Sequence, residues 1–155
     1  MRSSSVLRRL GYVAMVTVSF VWLGSVKADD ATSSIINIKI PKDIKWVEGN
    51  GGAASAVMVG DPNKPGLYIY LNKWHAGHMS RPHYHPNDRF ITVLSGTWWV
   101  GTGPKYDPAS TTPVPVGSFV THYAKGIHYD GAKDEDCVIE ILGMGPATST
   151  PAEVK

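Results

Sequence analysis

Two histidines separated by a single residue are the part of this sequence best suited to chemistry. His83 and His85 lie in RPHYHPNDRF, and the apolar run ITVLSG follows. Side chains at positions i and i+2 of a β-strand point to the same face, so both imidazoles would project together. A buried imidazole needs a hydrogen-bond partner or a metal ion. The pair alone is therefore compatible with metal ligands or with two structural histidines.

A third imidazole comes from a more distant segment. His128 follows a strand-like run and a glycine-containing turn in HYAKGIHYDG. Three imidazoles from two neighbouring strands form one face of a mononuclear metal site and leave positions open for water, O2 or substrate. An all-nitrogen set suits copper, iron or zinc better than manganese. We therefore expect one transition-metal ion per chain, with copper or iron favoured and zinc as the alternative.

Short β-rich runs account for most of the remaining sequence. Turn-forming clusters such as EGNGGA and DPNKPG separate them, and there is no long amphipathic helical pattern. This pattern is typical of an antiparallel sandwich or barrel, so we predict one all-β domain with loose polar ends, DDATSS and PATSTPAEVK. The predicted strands are IINIKI (35–40), SAVMVGD (55–61), GLYIYLNKW (66–74), RFITVL (89–94), TWWVG (97–101), GSFVTHY (117–123) and CVIEILG (137–143).

The first 28 residues are expected to be a signal peptide. Basic residues precede the apolar run YVAMVTVSFVWLG, and SVKA then supplies small residues for cleavage. The alternative is a membrane anchor, but the run of 13 residues is shorter than the roughly 20 that a spanning helix needs. We therefore predict a secreted or periplasmic domain at 29–155 with no membrane span in the mature form.

Charge and cysteine content narrow the functional classes. The chain has 15 Lys and Arg and 13 Asp and Glu, and residues 1–28 hold four of the basic residues and none of the acidic ones. The mature domain therefore has 11 basic against 13 acidic residues, a net charge of −2. A domain without a basic patch has no electrostatic footprint for nucleic acid. The single Cys137 cannot form an intramolecular disulfide, and we expect it to be a small buried residue.

Two motifs resemble those of the cupin superfamily. The first runs from Gly77 through the histidine pair to Gly96 as GHMSRPHYHPNDRFITVLSG, and the second runs from Gly117 to His128 as GSFVTHYAKGIH. The resemblance covers about residues 66–146 and is closest to small secreted single-domain cupins of bacteria. It implies a jelly-roll β-barrel with a metal inside, held by His83, His85 and His128.

The sequence departs from the cupin pattern at one ligand position. The family usually has a glutamate four residues after the second histidine, and Arg89 stands there. Asp88 is one residue earlier and would reach the metal only through a bulge, so a turn role is favoured for it. Arg89 either faces the interior with Ile91 and Val93 or swings to the surface. An inward arginine would make the pocket cationic and favour anionic or oxygen-rich ligands.

Other residues have weaker claims to the site. His122 is a candidate fourth ligand or second-shell residue, whereas His75 and His78 are expected at the rim. Tyr84 and Tyr123 are candidate pocket residues. Of the adjacent Trp98 and Trp99, one should face inward and one outward. A flat platform for a sugar or an aromatic ring is the possible role of Trp74, Trp98 and Trp99.

Three functional classes fit these residues. The first is an exported oxidoreductase that uses O2 or peroxide at a three-histidine site, acting on a carbohydrate, as in oxidative cellulose or polysaccharide cleavage, or on an aromatic compound. The second is a non-catalytic module that binds a metal, a sugar or another small ligand. The third is a metal-dependent isomerase, in which the metal polarises a carbonyl group. In each class the expected partner is a small molecule or carbohydrate, and the expected assembly is a homodimer.

The export prediction can be tested directly. N-terminal sequencing of the exported protein should begin at Asp29, because Val26 and Ala28 occupy the −3 and −1 positions of the predicted cleavage site. An exported chain that still begins with Met1 would contradict the assignment of residues 1–28.

Overall fold

Eleven short strands dominate the computed structural model, which describes residues 35–154. The chain divides into two compact units, residues 1–37 and 38–155, and every strand belongs to the second. The predicted signal peptide lies outside the described residues. Short 3-10 turns occupy Pro41–Asp43 and Pro108–Ser110. The strands are β1 (Val47–Glu48), β2 (Ala53–Val59), β3 (Gly66–Trp74), β4 (His83–Tyr84), β5 (Arg89–Ser95), β6 (Trp98–Thr102), β7 (Thr112–Val114), β8 (Phe119–His122), β9 (His128–Gly131), β10 (Cys137–Gly145) and β11 (Thr150–Pro151).

The strands form two antiparallel sheets. The larger has the order β1-β2-β3-β10-β5-β8 and the smaller the order β11-β4-β9-β6-β7. Strands distant in sequence are neighbours in both sheets, as when β10 inserts between β3 and β5. This crossing order, with two antiparallel sheets around one core, is a jelly-roll barrel. The predicted all-β jelly-roll fold is confirmed.

The core lies between the two sheets and follows the alternation of side chains along each strand. In β5, Arg89, Ile91 and Val93 are buried while Phe90 and Leu94 are exposed. Residues of β5 and β10 pack together with Trp98 of the opposite sheet. Cys137 lies fully inside this cluster, and burial raises the pKa of its thiol to about 12. It is therefore a buried apolar residue, as expected.

Most long strands occupy the predicted segments, but two predictions about the ends are wrong. Residues 35–40 form no strand, and Ile38 in this segment is largely exposed. Alternating isoleucines do not make a strand without a neighbouring edge to pair with. At the other end, the tail predicted to be loose contains β11, which pairs with β4. Polar composition misleads here because edge pairing satisfies main-chain groups and does not require apolar side chains.

Among residues 35–154, no helix is long and apolar enough to cross a membrane.

Candidate metal centre

Strand β4 brings the first histidine opposite the third. This two-residue strand lies between β9 and β11, and His83 is paired in register with His128. Pro82 and Pro86 flank the histidine pair and fix φ on either side of it. Just beyond the strand, the carbonyl of His85 accepts a hydrogen bond of 2.8 Å from the amide of Lys125. Main-chain bonds therefore hold both ends of the H-x-H segment.

Three imidazoles converge in this part of the barrel. The ring centroid of His83 is 4.9 Å from that of His85 and 4.5 Å from that of His128. The centroids of His85 and His128 are 5.3 Å apart. One ring nitrogen from each lies within 4.8 Å of the others, and no further ligand-type residue of the described chain joins them. The three residues predicted as ligands therefore form one group that can hold a metal ion.

Main-chain hydrogen bonds fix the tautomer of all three rings. Each Nδ1 donates to a carbonyl oxygen: His83 to Arg81 at 2.8 Å, His85 to Thr148 at 2.8 Å and His128 to Gly126 at 2.9 Å. The lone pair of each ring is therefore left on Nε2. An outer hydrogen bond of this kind orients a metal-ligating histidine and raises its basicity.

The Nε2 lone pairs of the buried imidazoles have no partner in the described residues that could satisfy them, and a metal ion would do so. The Nε2 atoms of His85 and His128 are fully enclosed and have no hydrogen-bond partner in the described residues. Buried polar atoms without a partner are rare in folded proteins and call for an explanation such as an ion or water. A soft or borderline metal that accepts neutral imidazole would satisfy these atoms, whereas a hard cation that requires carboxylates would not.

The protonation state of the rings also suits a metal. Burial, reinforced by the positive charge of Arg89, lowers the pKa of His85 to about 3. Burial likewise lowers the pKa of His128 below its usual value. Both rings are therefore neutral at physiological pH, and a metal would bind them without first displacing a proton.

Arg89 faces the interior, and Asp88 does not. Arg89 is only 6 % exposed and shares the inward side of β5 with Ile91 and Val93, so the inward alternative is the one observed. Asp88 is exposed, and its Oδ1 accepts a hydrogen bond of 2.7 Å from the amide of Ala124. It stabilises the loop after β8, which agrees with the favoured turn role and leaves it outside the imidazole group.

His122 is a neighbour of the three-imidazole group. Its ring centroid is 3.9 Å from that of His128 and 5.3 Å from that of Trp98. Both of its ring nitrogens are enclosed without a hydrogen-bond partner in the described chain. Burial is the main cause that lowers the pKa of His122 to about 3, and the charge of a protonated His128 lowers it further. His122 therefore packs against a candidate ligand but does not belong to the group of three converging imidazoles. By contrast, His75 follows the end of β3 that lies away from Arg89, and its ring contacts Glu48 and Asp136.

Asp130 is a buried carboxylate that the sequence analysis did not assign to the site. Its oxygens accept hydrogen bonds from Ser80 Oγ at 3.0 Å and Trp98 Nε1 at 2.9 Å. Burial opposes ionisation, but the neighbouring His122, His128 and Arg89 outweigh it and hold the pKa of Asp130 below its usual range. The spacing H-x-D at 128–130 was the available signal, because i and i+2 share a strand face.

The tryptophans are less available than a surface platform requires. Trp98 is completely buried and uses its indole N–H for Asp130, which excludes it as a binding face. Trp99 alternates to the other side of β6, and the amine of Lys133 lies 3.7 Å from the centre of one of its rings. Trp74 is partly buried against the core. One tryptophan of the adjacent pair therefore faces inward and one outward, as expected.

A cavity of about 260 Å³ opens beside the imidazoles. His122 and His128 line it together with apolar side chains of β6 and β8, including Val100 and Val120. Tyr123 stands at its edge and is 73 % exposed. Tyr84 alternates with His83 along β4 and therefore points away from the group. This volume is close to the lower limit of small-ligand sites.

Similarity to known proteins is visible in structure and not in sequence. The chain matches no protein-family model and no curated protein. Among solved structures, it is similar to the polyketide cyclase RemF from Streptomyces resistomycificus, with 15% identity and a TM-score of 0.64 over 78% of this chain and 88% of that one. It is also similar to a cupin-2 domain protein from Rhodospirillum rubrum, with 14% identity and a TM-score of 0.57 over 77% and 80% of the two chains.

A third similar structure is the DMSP lyase DddQ from Ruegeria pomeroyi, with 15% identity and a TM-score of 0.57. That match covers 74% of this chain and 64% of the lyase. At these identities the likeness defines the fold alone. The chain has the cupin fold with a three-histidine group inside it, and the resemblance stated from its two motifs is confirmed at that level.

Alanine substitution at each imidazole tests the metal centre. His83→Ala, His85→Ala and His128→Ala should each lower metal affinity well beyond the 10–100-fold typical of changes around the ligands. Metal content per chain after native purification and dialysis is the measurement. His75→Ala is the matched control and should retain the metal, because this histidine lies outside the imidazole group and contacts Glu48 and Asp136. Equal metal content in all four variants would rule out the assignment.

Removal of the C-terminal tail tests the support of His85. Deletion of residues 148–155 removes β11 and the Thr148 carbonyl that orients this ring, so metal affinity should fall by at least about tenfold. A competition titration with a chelator measures the change. Thr148→Ala keeps the carbonyl and should bind as the unaltered protein does. A truncated protein with undiminished affinity would show that the tail does not position the site.

Proposed function

We propose that this protein is an exported oxidoreductase that uses O2 or peroxide at a mononuclear copper or iron ion. His83, His85 and His128 would hold the ion. The observation that carries the proposal is the pair of enclosed Nε2 atoms, on His85 and His128, that have no partner in the described residues while their Nδ1 atoms are fixed by main-chain carbonyls. No carboxylate belongs to the group, which favours copper or iron over manganese.

A redox-active ion bound there would supply one-electron chemistry and a binding position for oxygen. The protein contributes orientation and exclusion of water. The cavity beside His128 has apolar walls formed by Val100 and Val120, so a small substrate would displace water from the face that adjoins the imidazoles. A carbohydrate or an aromatic compound is the proposed substrate.

A non-redox enzyme is the second candidate, and Asp130 is the observation that favours it. This carboxylate is buried, ionised and close to His122 and His128. In an isomerase or related enzyme, an ion that polarises a carbonyl group works together with a protein base. Two of the similar solved structures are described as a cyclase and a lyase, activities that need no oxidant. A non-catalytic binding module is the remaining alternative.

Export and assembly complete the proposal. The apolar segment before residue 29 supports a secreted or periplasmic location. A homodimer is supported by exposed aromatic residues on the outer face of the larger sheet, where the rings of Phe90 and Phe119 stack with centroids 6.4 Å apart.

Turnover distinguishes the three classes. The copper- or iron-loaded protein with a reductant should consume O2 or peroxide in the presence of a polysaccharide or aromatic substrate. His83→Ala should abolish consumption, and His75→Ala should not. Product formed without oxidant consumption would favour the isomerase class. Tight ligand binding without any product would favour the binding module.

A further inference from the structure

Arg89 is a buried cation without a partner. It is 6 % exposed, and its Nε is fully enclosed and makes no hydrogen bond. Within residues 35–154, no carboxylate forms an ion pair with it at 4 Å or less. A guanidinium stays charged under all physiological conditions, so it cannot escape the cost of burial by losing a proton. Such a group requires an acceptor that residues 35–154 do not supply.

The acidic residues closest to Arg89 are already engaged. Both oxygens of Asp130 accept hydrogen bonds from Ser80 and Trp98. Asp88 is exposed and accepts from the amide of Ala124. Asp130 therefore uses both of its oxygens for other donors and forms no ion pair with Arg89 within 4 Å. The donors of Arg89 remain available to a ligand.

The neighbours of Arg89 place it beside the imidazole group. Across β5 and β8 it is paired in register with His122, whose ring packs on that of His128. On the other side it is paired with Gly143, which is in turn paired with Tyr68. A Cβ at Gly143 would lie 2.6 Å from the Tyr68 hydroxyl, so the absence of a side chain at this glycine leaves space for that hydroxyl next to Arg89. The guanidinium thus lies between an imidazole and a buried phenol.

We propose that Arg89 is the binding residue for the carboxylate of a small carboxylic acid, with Tyr68 and His122 at its sides. A carboxylate is planar and accepts two parallel hydrogen bonds from a guanidinium fork. It also carries a single negative charge, whereas a phosphate dianion would bring a second negative charge near the buried carboxylate of Asp130. The rest of such a molecule would extend towards His128 and the candidate metal.

This site would add a carboxylate to the substrate of the proposed function. It rests on the proposed function only for the position of the part of that substrate that reacts. The carboxylate contact itself involves protein side chains alone. It should therefore exist in metal-free protein, which makes failure of the metal assignment distinguishable from failure of the anion site.

Two arginines, Arg81 and Arg89, are present in residues 29–155, which makes a spectroscopic test direct. In metal-free protein, acetate should shift the Nε–H signal of Arg89 and leave that of Arg81 in place, since Arg81 is already paired with Glu153. Acetamide has the same shape without charge and should bind at least tenfold more weakly than acetate. Equal affinity for acetate and acetamide, or tighter binding of inorganic phosphate than of acetate, would overturn the proposal.

Substitutions provide the second measurement, by calorimetry on the same metal-free protein. Arg89→Met should weaken acetate binding more than tenfold, and Arg89→Lys should recover part of the loss, because it restores charge without the fork. Lys105→Met removes the same charge from an exposed position and should bind acetate as the unaltered protein does. Acetate affinity that is unchanged in folded Arg89→Met would refute the site. If that variant does not fold, the Arg89 signal in the unaltered protein decides the question.

Discussion

The hydrogen bonds from three histidine Nδ1 atoms to main-chain carbonyls determine what the rest of the site can do. Each bond selects one tautomer and points the opposite nitrogen, Nε2, into the barrel. The carbonyls belong to the residue pair before β4, to the turn before β9 and to the C-terminal tail. The rigidity of the imidazole group therefore depends on the three loops that carry these carbonyls. The neighbouring strands in turn hold those loops in place.

The interior of the barrel combines one fixed positive charge, one fixed negative charge and several neutral rings. Asp130 accepts hydrogen bonds from Ser80 and Trp98, whereas the Nε of Arg89 has no acceptor in the described residues. This asymmetry matters because an unpaired buried cation is costly, and a fold retains it only when something else compensates. The neutral state of His85 and His128 follows from the same environment, since burial and Arg89 both disfavour a further positive charge there.

The sequence was most informative where spacing alone decides geometry. The shared face of the H-x-H pair and most of the long strands follow from the two-residue period of a β-strand. The approach of His128 came from the cupin motifs, and the inward position of Arg89 had been one of two open alternatives. The sequence was least informative where long-range pairing decides. Ile38 has the alternation of a strand residue but lies in no strand, and Thr150 has a polar context but pairs with β4. The H-x-D spacing placed Asp130 on the same face as His128, but its hydrogen bonds with Trp98 and Ser80 could not be predicted, because no local pattern connects these residues.

The position of Thr148 also orders events in time. The chain is synthesised from its N-terminus, and His83, His85 and His128 are all made before the segment that contains β11. Until that segment has emerged, β4 lacks one neighbouring strand and the ring of His85 lacks its carbonyl acceptor. The three imidazoles therefore reach their final arrangement only once the segment with Thr148 and β11 has been made. For a protein that crosses a membrane as an unfolded chain, this delay would postpone metal capture to the compartment in which folding is completed.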